Sequence, residues 1–295
     1  MTQVTLDELN QLDRQDFIAA LGDIFEHSPW IAEAAYNARP FADLHTLYKA
    51  LSDTVRHADA ARQFKLIAAH PDLAGKAARE GAMTADSKTE QASAGLDRLN
   101  EQEFATFHKL NDAYRAKFGI PFIVCVRRHG KDSILRQFER RLANDEAAER
   151  STALNEIFRI AALRLDQRVD APDRLRVHGR LSTHVLDTDR GRPAAGVKIE
   201  LFEITSSGAA MPVTSATTNA DGRTDRPLIA DQPIPIAAYE LRFDIGGYFA
   251  NSGTPAADPP FLGIVPVRFA VAEPEADYHV PLLATPWSYS TYRGS

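Results

Sequence analysis

The chain has 295 residues with 44% hydrophobic and 25% charged side chains, and its formal net charge is −6. That length has room for two ordinary domains, and that composition is globular. The acidic balance excludes a general binder of nucleic acid or anionic membrane, because those partners need a basic surface. The opening MTQVTLDELNQLDRQDFIAA holds four acids and no long apolar run, so neither a secretory signal nor a membrane span is expected there.

Residues 1–168 are expected to form an all-α bundle. Only prolines 29, 40, 71 and 121 of the chain's 17 precede residue 170, and proline is hard to place inside helices. Apolar stripes at helical spacing run through DLHTLYKALSDTV, AARQFKLIAAH and the stretch from Asp145 to Leu165. In EQEFATFHKLNDAYRAKFG the residues Phe104, Phe107, Leu110, Tyr114 and Phe118 share one face, and Gly119 followed by Pro121 stops the helix. About seven or eight helices are expected, with IPFIVCV crossing them as a short extended segment. The single cysteine, Cys125, lies in that run and reads as a buried small hydrophobe. With no internal disulfide possible, a cytoplasmic location is expected.

Residues 169–178, within DQRVDAPDRLRVHG, are charged, contain a proline and lack an apolar stripe, and they read as a linker. Residues 179–295 alternate with a period of two, as in VKIELFEI and YELRFDI, between turn signals such as DTDRGRP, NADGRTD and NSGTPAADPP. An all-β antiparallel sandwich of roughly eight short strands is expected.

Four groups in this second part could carry chemistry: His184 in THVLD, Arg223 in DGR, His279 in DYHVPLL, and the STYRGS ending. Two strand histidines can face one another, and an arginine can hold a carbonyl-rich or anionic substrate. Each group alone also has an ordinary reading as a satisfied structural residue. No metal is expected, since no cysteine or H-x-H pair adds to the histidines. The order RLSTHVLDTDRGRPAAGVKIELFE, TNADGR, YHVPLLATPWSYSTYRGS resembles the 5-hydroxyisourate hydrolases of the transthyretin fold, over residues 176–295. The resemblance implies His184, Arg223, His279 and Ser295 as catalytic residues, Tyr292 as a substrate contact, and a homo-oligomer, a tetramer, with sites where subunits meet. It also implies that the Tyr292–Ser295 tail walls the pocket.

In the helical part, AAHPDLAGK places His70 at a helix end before Pro71, and SKTEQASAGL places Ser87, Glu90 and Gln91 within about one turn. NEIFRIAALRL carries Arg159 and Arg164. A helix-end histidine, a solvated glutamate and two surface arginines would look the same. HPDLAGK, the Ser-x-x-Glu-Gln cluster and FGIPFIV in this order resemble the decarboxylases of 2-oxo-4-hydroxy-4-carboxy-5-ureidoimidazoline (OHCU), over residues 5–167. That resemblance implies His70 and Glu90 as the catalytic pair and Pro71, Ser87, Gln91, Phe122, Ile123 and Arg164 as substrate contacts. Arg164 fits the family arginine better than Arg159, and Glu90 could orient His70. The helical domain could add a dimer contact to the oligomer.

Together the two resemblances imply a cofactor-free bifunctional enzyme of urate degradation with small-molecule substrates. It hydrolyses 5-hydroxyisourate to OHCU and decarboxylates OHCU to (S)-allantoin. A transthyretin-like carrier with a helical partner module, or a chain with one active domain, would be the competing readings.

Overall fold

Helix starts in the first part of the chain fall where a side-chain oxygen can accept a free amide hydrogen. Thr5, Asp13, Asp43, Asp59, Thr84, Asn100 and Asp145 each cap the helix that follows. The helices are α1 (Leu6–Gln11), α2 (Arg14–Leu21), α3 (Pro29–Ala35), α4 (Leu44–Arg56), α5 (Ala60–Ala68), α6 (Ala85–Ser93), α7 (Glu101–Phe118), α8 (Lys131–Arg141) and α9 (Glu146–Arg168). The computed structural model describes residues 3–74, 84–253 and 257–294. Among the described residues no helix is long and apolar enough to cross a membrane.

The expected end of α7 is present: Gly119 adopts φ 69° and its amide donates to the Arg115 carbonyl. Phe107 and Tyr114 of the expected stripe are buried, and Asn111 is buried beside them. Residues 121–125 are irregular, leading into a short 3₁₀ turn at Val126–Arg128. A buried ion pair holds this segment. Arg141 donates through Nη1 to the Ile123 carbonyl at 2.6 Å and through Nε to Glu149 Oε1 at 2.9 Å. Its guanidinium lies 4.4 Å from the centre of the Phe122 ring, which stacks on Phe138 at 3.6 Å. Cys125 is buried, and its amide donates to Glu156 Oε2 at 2.8 Å.

The chain divides into two compact units, residues 1–126 with 134–177 and residues 127–133 with 178–295. Each has its own hydrophobic core. Residues 127–133, expected in the helical part, belong by packing to the second unit. There the Ile236 amide donates to the Arg128 carbonyl at 2.9 Å, and Arg128 reaches both carboxylate oxygens of Glu275, at 2.5 and 2.8 Å.

Residues 169–178 are packed rather than loose. Strand β2 (Val169–Asp170) pairs in parallel with β1 (Val4–Thr5). Ala171, Leu175 and Val177 join the helical core, while Asp166 at the end of α9 accepts the Leu175 amide at 2.9 Å and Nε of Arg174 at 2.9 Å. The linker reading missed that Val169, Ala171, Leu175 and Val177 are buried at alternate positions, as in a strand, because charged residues and Pro172 stand between them.

In the second unit β7 (Ala210–Thr217), β6 (Lys198–Ile204), β9 (Ala237–Asp244) and β10 (Ile264–Val271) form an antiparallel sheet in that order. Facing residues Ile199, Leu201, Leu241, Phe243, Val265 and Val267 are buried. The remaining strands are β3 (Gly179–Ser182), β4 (Val185–Asp187), β5 (Arg192–Pro193), β8 (Ile229–Gln232), β11 (Asp277–His279), β12 (Leu282–Ala284) and β13 (Tyr289–Thr291). They form the orders β8-β3-β11 and β5-β4-β12-β13. Two pairs, β3 with β11 and β4 with β12, run parallel, which an alternating pattern cannot reveal because it has no direction. Among the described residues, eleven strand segments replace the expected eight or so, since β3 breaks before β4 and β11 before β12. Backbone hydrogen bonds continue across the break, from Val280 to Ser182 at 3.0 Å and from Leu282 to His184 at 2.8 Å.

Removing Arg141 leaves the Glu149 carboxylate buried without its cation, a loss that typically costs about 3–5 kcal/mol. Arg141→Ala is therefore expected to lower the urea midpoint of the helical unit, followed by far-ultraviolet circular dichroism. An unchanged midpoint contradicts this account of the IPFIVCV segment.

Candidate active sites

The first site is built where the end of α5, the start of α6, the irregular segment 121–126 and the last turns of α9 converge. His70, Pro71, Ser87, Glu90, Gln91, Phe122, Ile123 and Arg164 line one cavity together with Leu73, Val124, Val126 and Ile160. All eight residues named from the sequence for this part are thus brought together. Arg159 is not among them: it pairs with Glu156 on the outer face of α9, with its side chain 49% exposed. The cavity measures about 30 Å³, room for about two water molecules.

Arg164 fills most of the polar wall. Its Nε donates to Glu90 Oε1 at 2.8 Å and its Nη2 to Glu90 Oε2 at 2.9 Å, a bidentate pair. Nη2 also reaches Ser87 Oγ at 3.3 Å, and Nη1 donates to Glu26 Oε2 at 2.9 Å. Glu26, 2% exposed, was not singled out in the sequence. It is one acid between Phe25 and His27 and carries no motif, and the only hint is that Ile24 and Phe25 beside it are strongly apolar.

His70 is buried, and its Nδ1 lies 2.9 Å from the Leu66 carbonyl. A carbonyl only accepts, so Nδ1 carries the proton and Nε2 is the basic nitrogen. The expectation that Glu90 orients this ring is not met, because Glu90 serves Arg164. Gln91 is likewise engaged with the HPDLA turn: its Oε1 accepts the Ala74 amide at 2.9 Å and its Nε2 donates to the Asp72 carbonyl at 3.3 Å. Asn111 supports the same turn by donating to the Leu73 carbonyl at 2.8 Å.

The second site lies on one face of the broken sheet. Ser182 and His184 point outward from the β3–β4 line while Leu181, Thr183 and Val185 are buried. His279 stands opposite Ser182 in register, and its Nδ1 is 2.9 Å from Ser182 Oγ. His184 bridges Arg223, His279 bridges Gly294, and the Gly294 amide donates to the His279 carbonyl at 2.8 Å. That bond brings the segment after β13 beside His279. Tyr292 is 58% exposed, and Ser295 lies outside the described residues. Ser182 was quoted in the motif but not singled out, because its role depends on strand register. Nε2 of His184 is buried and has no hydrogen-bond partner.

Residues 10–166 match the family model described as OHCU decarboxylase. The chain belongs to the OHCU decarboxylase family. Residues 181–294 match the HIUase/Transthyretin family, to which the second unit belongs. The 2-oxo-4-hydroxy-4-carboxy-5-ureidoimidazoline decarboxylase of Halalkalicoccus jeotgali is 43% identical over 167 residues, covering 57% of this chain and 93% of that protein. The 5-hydroxyisourate hydrolase of Deinococcus radiodurans is 54% identical over 118 residues, 40% of this chain and 98% of that protein. A crystal structure of (S)-allantoin synthase, 33% identical, matches with a TM-score of 0.53 over 99% of this chain and 100% of its own.

The protonation states in the decarboxylase unit follow from burial. Burial opposes charge on His70 and brings its pKa down to about 4, although the Leu66 carbonyl and Glu26 favour the charged form. Burial also opposes charge on Arg164, but Glu90 and Glu26 more than offset it and raise its pKa. Glu26 pays a burial penalty that Arg164 and Thr84 outweigh, so its pKa is lowered and it stays a carboxylate. In the transthyretin-family unit burial and then the Arg223 charge lower the pKa of both His184 and His279.

A histidine held neutral has a defined effect on stability. Between pH 6.5 and about 4 the unfolded chain binds a proton at His70 that the folded chain does not. Stability is therefore fully kept above that window and falls as pH drops through it. Wild type should lose more urea stability between pH 7 and pH 5 than His70→Gln loses, and equal losses would count against a neutral, buried His70.

Proposed function

We propose that the protein carries out two consecutive steps of urate degradation. The transthyretin-family unit hydrolyses 5-hydroxyisourate to OHCU, and the decarboxylase unit converts OHCU to (S)-allantoin. The observation that carries this reading is that one chain assembles both polar sets, His70–Glu90–Arg164 in one unit and His184–Arg223–His279 in the other. The order of the steps follows from chemistry. Opening an acyl-urea ring bond with water leaves a carboxylate on one side and a ureido group on the other, and both substituents appear in the name of the decarboxylase substrate.

For hydrolysis, water bonds to the ring carbonyl carbon, the carbon–nitrogen bond breaks and the released nitrogen takes a proton. The lowered pKa values keep the imidazoles of His184 and His279 ready to accept the water proton. Arg223 stands beside them as the cation for the developing oxyanion. Tyr292 is assigned a substrate contact and Ser295 a catalytic role.

For decarboxylation, the carbon–carbon bond breaks, carbon dioxide leaves and the electron pair moves to the ring imine, whose nitrogen takes a proton from solvent. Neutral His70 then accepts the hydroxyl proton at Nε2 and returns it to the ring carbon from one face, which sets the configuration of the product. Arg164 and Glu90 orient the carboxylate and ureido groups, with Pro71, Ser87, Gln91, Phe122 and Ile123 forming the surrounding wall. No cofactor is needed for either step.

Beside the hydrolase site, Trp287, Tyr289 and Tyr292 are 60%, 47% and 58% exposed in one copy of the chain. Aromatic surface of that extent suits burial by further copies, and a homo-oligomer, a tetramer through this unit with a possible dimer contact of the helical unit, is part of the proposal. A cytoplasmic location suits a chain whose one cysteine, Cys125, can form no internal disulfide.

The test follows 5-hydroxyisourate, freshly generated from urate, by absorbance and circular dichroism. Wild type is expected to give optically active allantoin. His279→Ala should stall at 5-hydroxyisourate and His70→Ala at OHCU, each step slowed about 10²–10⁴-fold. If neither compound decays faster with wild type than without protein, the bifunctional reading fails and a ligand carrier takes its place.

A further inference from the structure

The Arg164 guanidinium has two carboxylate partners, and they differ in where they stand. Glu90 lines the cavity and its side chain is 17% exposed, whereas the side chain of Glu26 is 1% exposed and stands behind the wall. Glu90 takes Nε and Nη2, the edge of the guanidinium that a substrate carboxylate or ureido oxygen would use. The space left between these lining groups is about 30 Å³. A substrate oxygen that binds this edge takes the place of Glu90, the more exposed partner, which competes directly for the same N–H groups.

Glu26 is fixed on every side that matters to the wall. Its Oε2 accepts Nη1 of Arg164 at 2.9 Å, and its Oε1 accepts the hydroxyls of Ser87 at 3.1 Å and Thr84 at 2.7 Å. The next residue, His27, adopts φ 47°, a left-handed conformation that a side chain larger than glycine seldom takes and that persists where the surroundings enforce it. The turn thus places one carboxylate inward at a conformational cost.

We infer that Glu26 is a positioning residue for the decarboxylation. It holds the Arg164 guanidinium and the Ser87 hydroxyl at the cavity wall while Glu90 yields its place on Nε and Nη2 to the substrate. This inference rests on the decarboxylase assignment of the first unit. Glu26 acts through Arg164 and Ser87 and is not itself a substrate contact.

The experiment compares Glu26→Gln and Glu26→Asp with wild type and His70→Ala in the full chain. Decarboxylation kinetics are measured on OHCU made in place, and 5-hydroxyisourate hydrolysis by the same preparations reports that the second unit is intact. Glu26→Gln is nearly isosteric but lacks the charge that pins Nη1, and a misplaced guanidinium should lower kcat/KM of decarboxylation by about 100-fold. Loss of substrate positioning should raise KM as well as lower kcat, and Glu26→Asp, which keeps the charge, should recover part of both. A structural role alone would lower the thermal midpoint and leave kcat and KM of the folded fraction unchanged. That outcome, or wild-type kinetics in Glu26→Gln while His70→Ala is inactive, overturns the inference. If wild type itself does not decarboxylate OHCU, the functional assignment has failed instead.

Discussion

The arrangement of the helical unit depends on one buried cation. Arg164, with its side chain 5% exposed, is held by two carboxylates that reach it from distant parts of the chain, Glu26 across 138 positions and Glu90 across 74. Taking a guanidinium and two carboxylates out of water is costly unless each donor and acceptor finds a partner in good geometry. The ion cluster therefore fixes α6 and the turn after α2 against α9. Any displacement of one element leaves a charge buried and unpaired. The same requirement makes the site preorganised, because the elements that must close around Arg164 for folding also carry Ser87 and Glu90.

A second buried ion pair extends this logic to the opposite wall. Arg141 and Glu149 sit beneath Phe122 and Ile123, and Arg141 spends one N–H on the Ile123 carbonyl rather than on its partner. An irregular segment has no ladder to satisfy its backbone, so side chains supply the partners, Arg141 for Ile123 and Glu156 for the Cys125 amide. The Phe122–Ile123 wall is thus set by charged groups outside the cavity lining.

These features divide what could be read from the sequence from what could not. Helix and strand periods, the Gly119 stop and the change of composition near residue 170 are local signals that depend on neighbours within a turn or a strand, whereas the residues that meet around the first cavity were named through the family resemblance of their motifs. Glu26, Asn111 and Ser182 were invisible as site residues because their importance arises from partners far along the chain: Ser87 to Glu26 spans 61 positions and Ser182 to His279 spans 97. The same holds for residues 127–133 and 169–178, whose placement depends on strand ends and core surfaces that form only after folding. Glu90 was paired with His70 by what the resemblance implies, yet its carboxylate is taken by the buried Arg164 cation, and the neutral imidazole is satisfied by the Leu66 carbonyl.

The two sites also handle charge in opposite ways. The decarboxylase cavity keeps His70 neutral by burial and concentrates charge in one arginine with two partners. The hydrolase site must admit water as a reactant, and in one copy of the chain its histidines are only partly buried, with Arg223 exposed beside them. A site that consumes water can stay wet, whereas a site that must direct a proton to one face of an intermediate gains from being dry, since solvent would deliver protons to both faces. Covalent linkage raises the local concentration of the intermediate whatever the arrangement of the units. It matters most for an intermediate that one site makes and the other consumes, and it gives a physical reason for carrying a hydrolase and a decarboxylase on one chain.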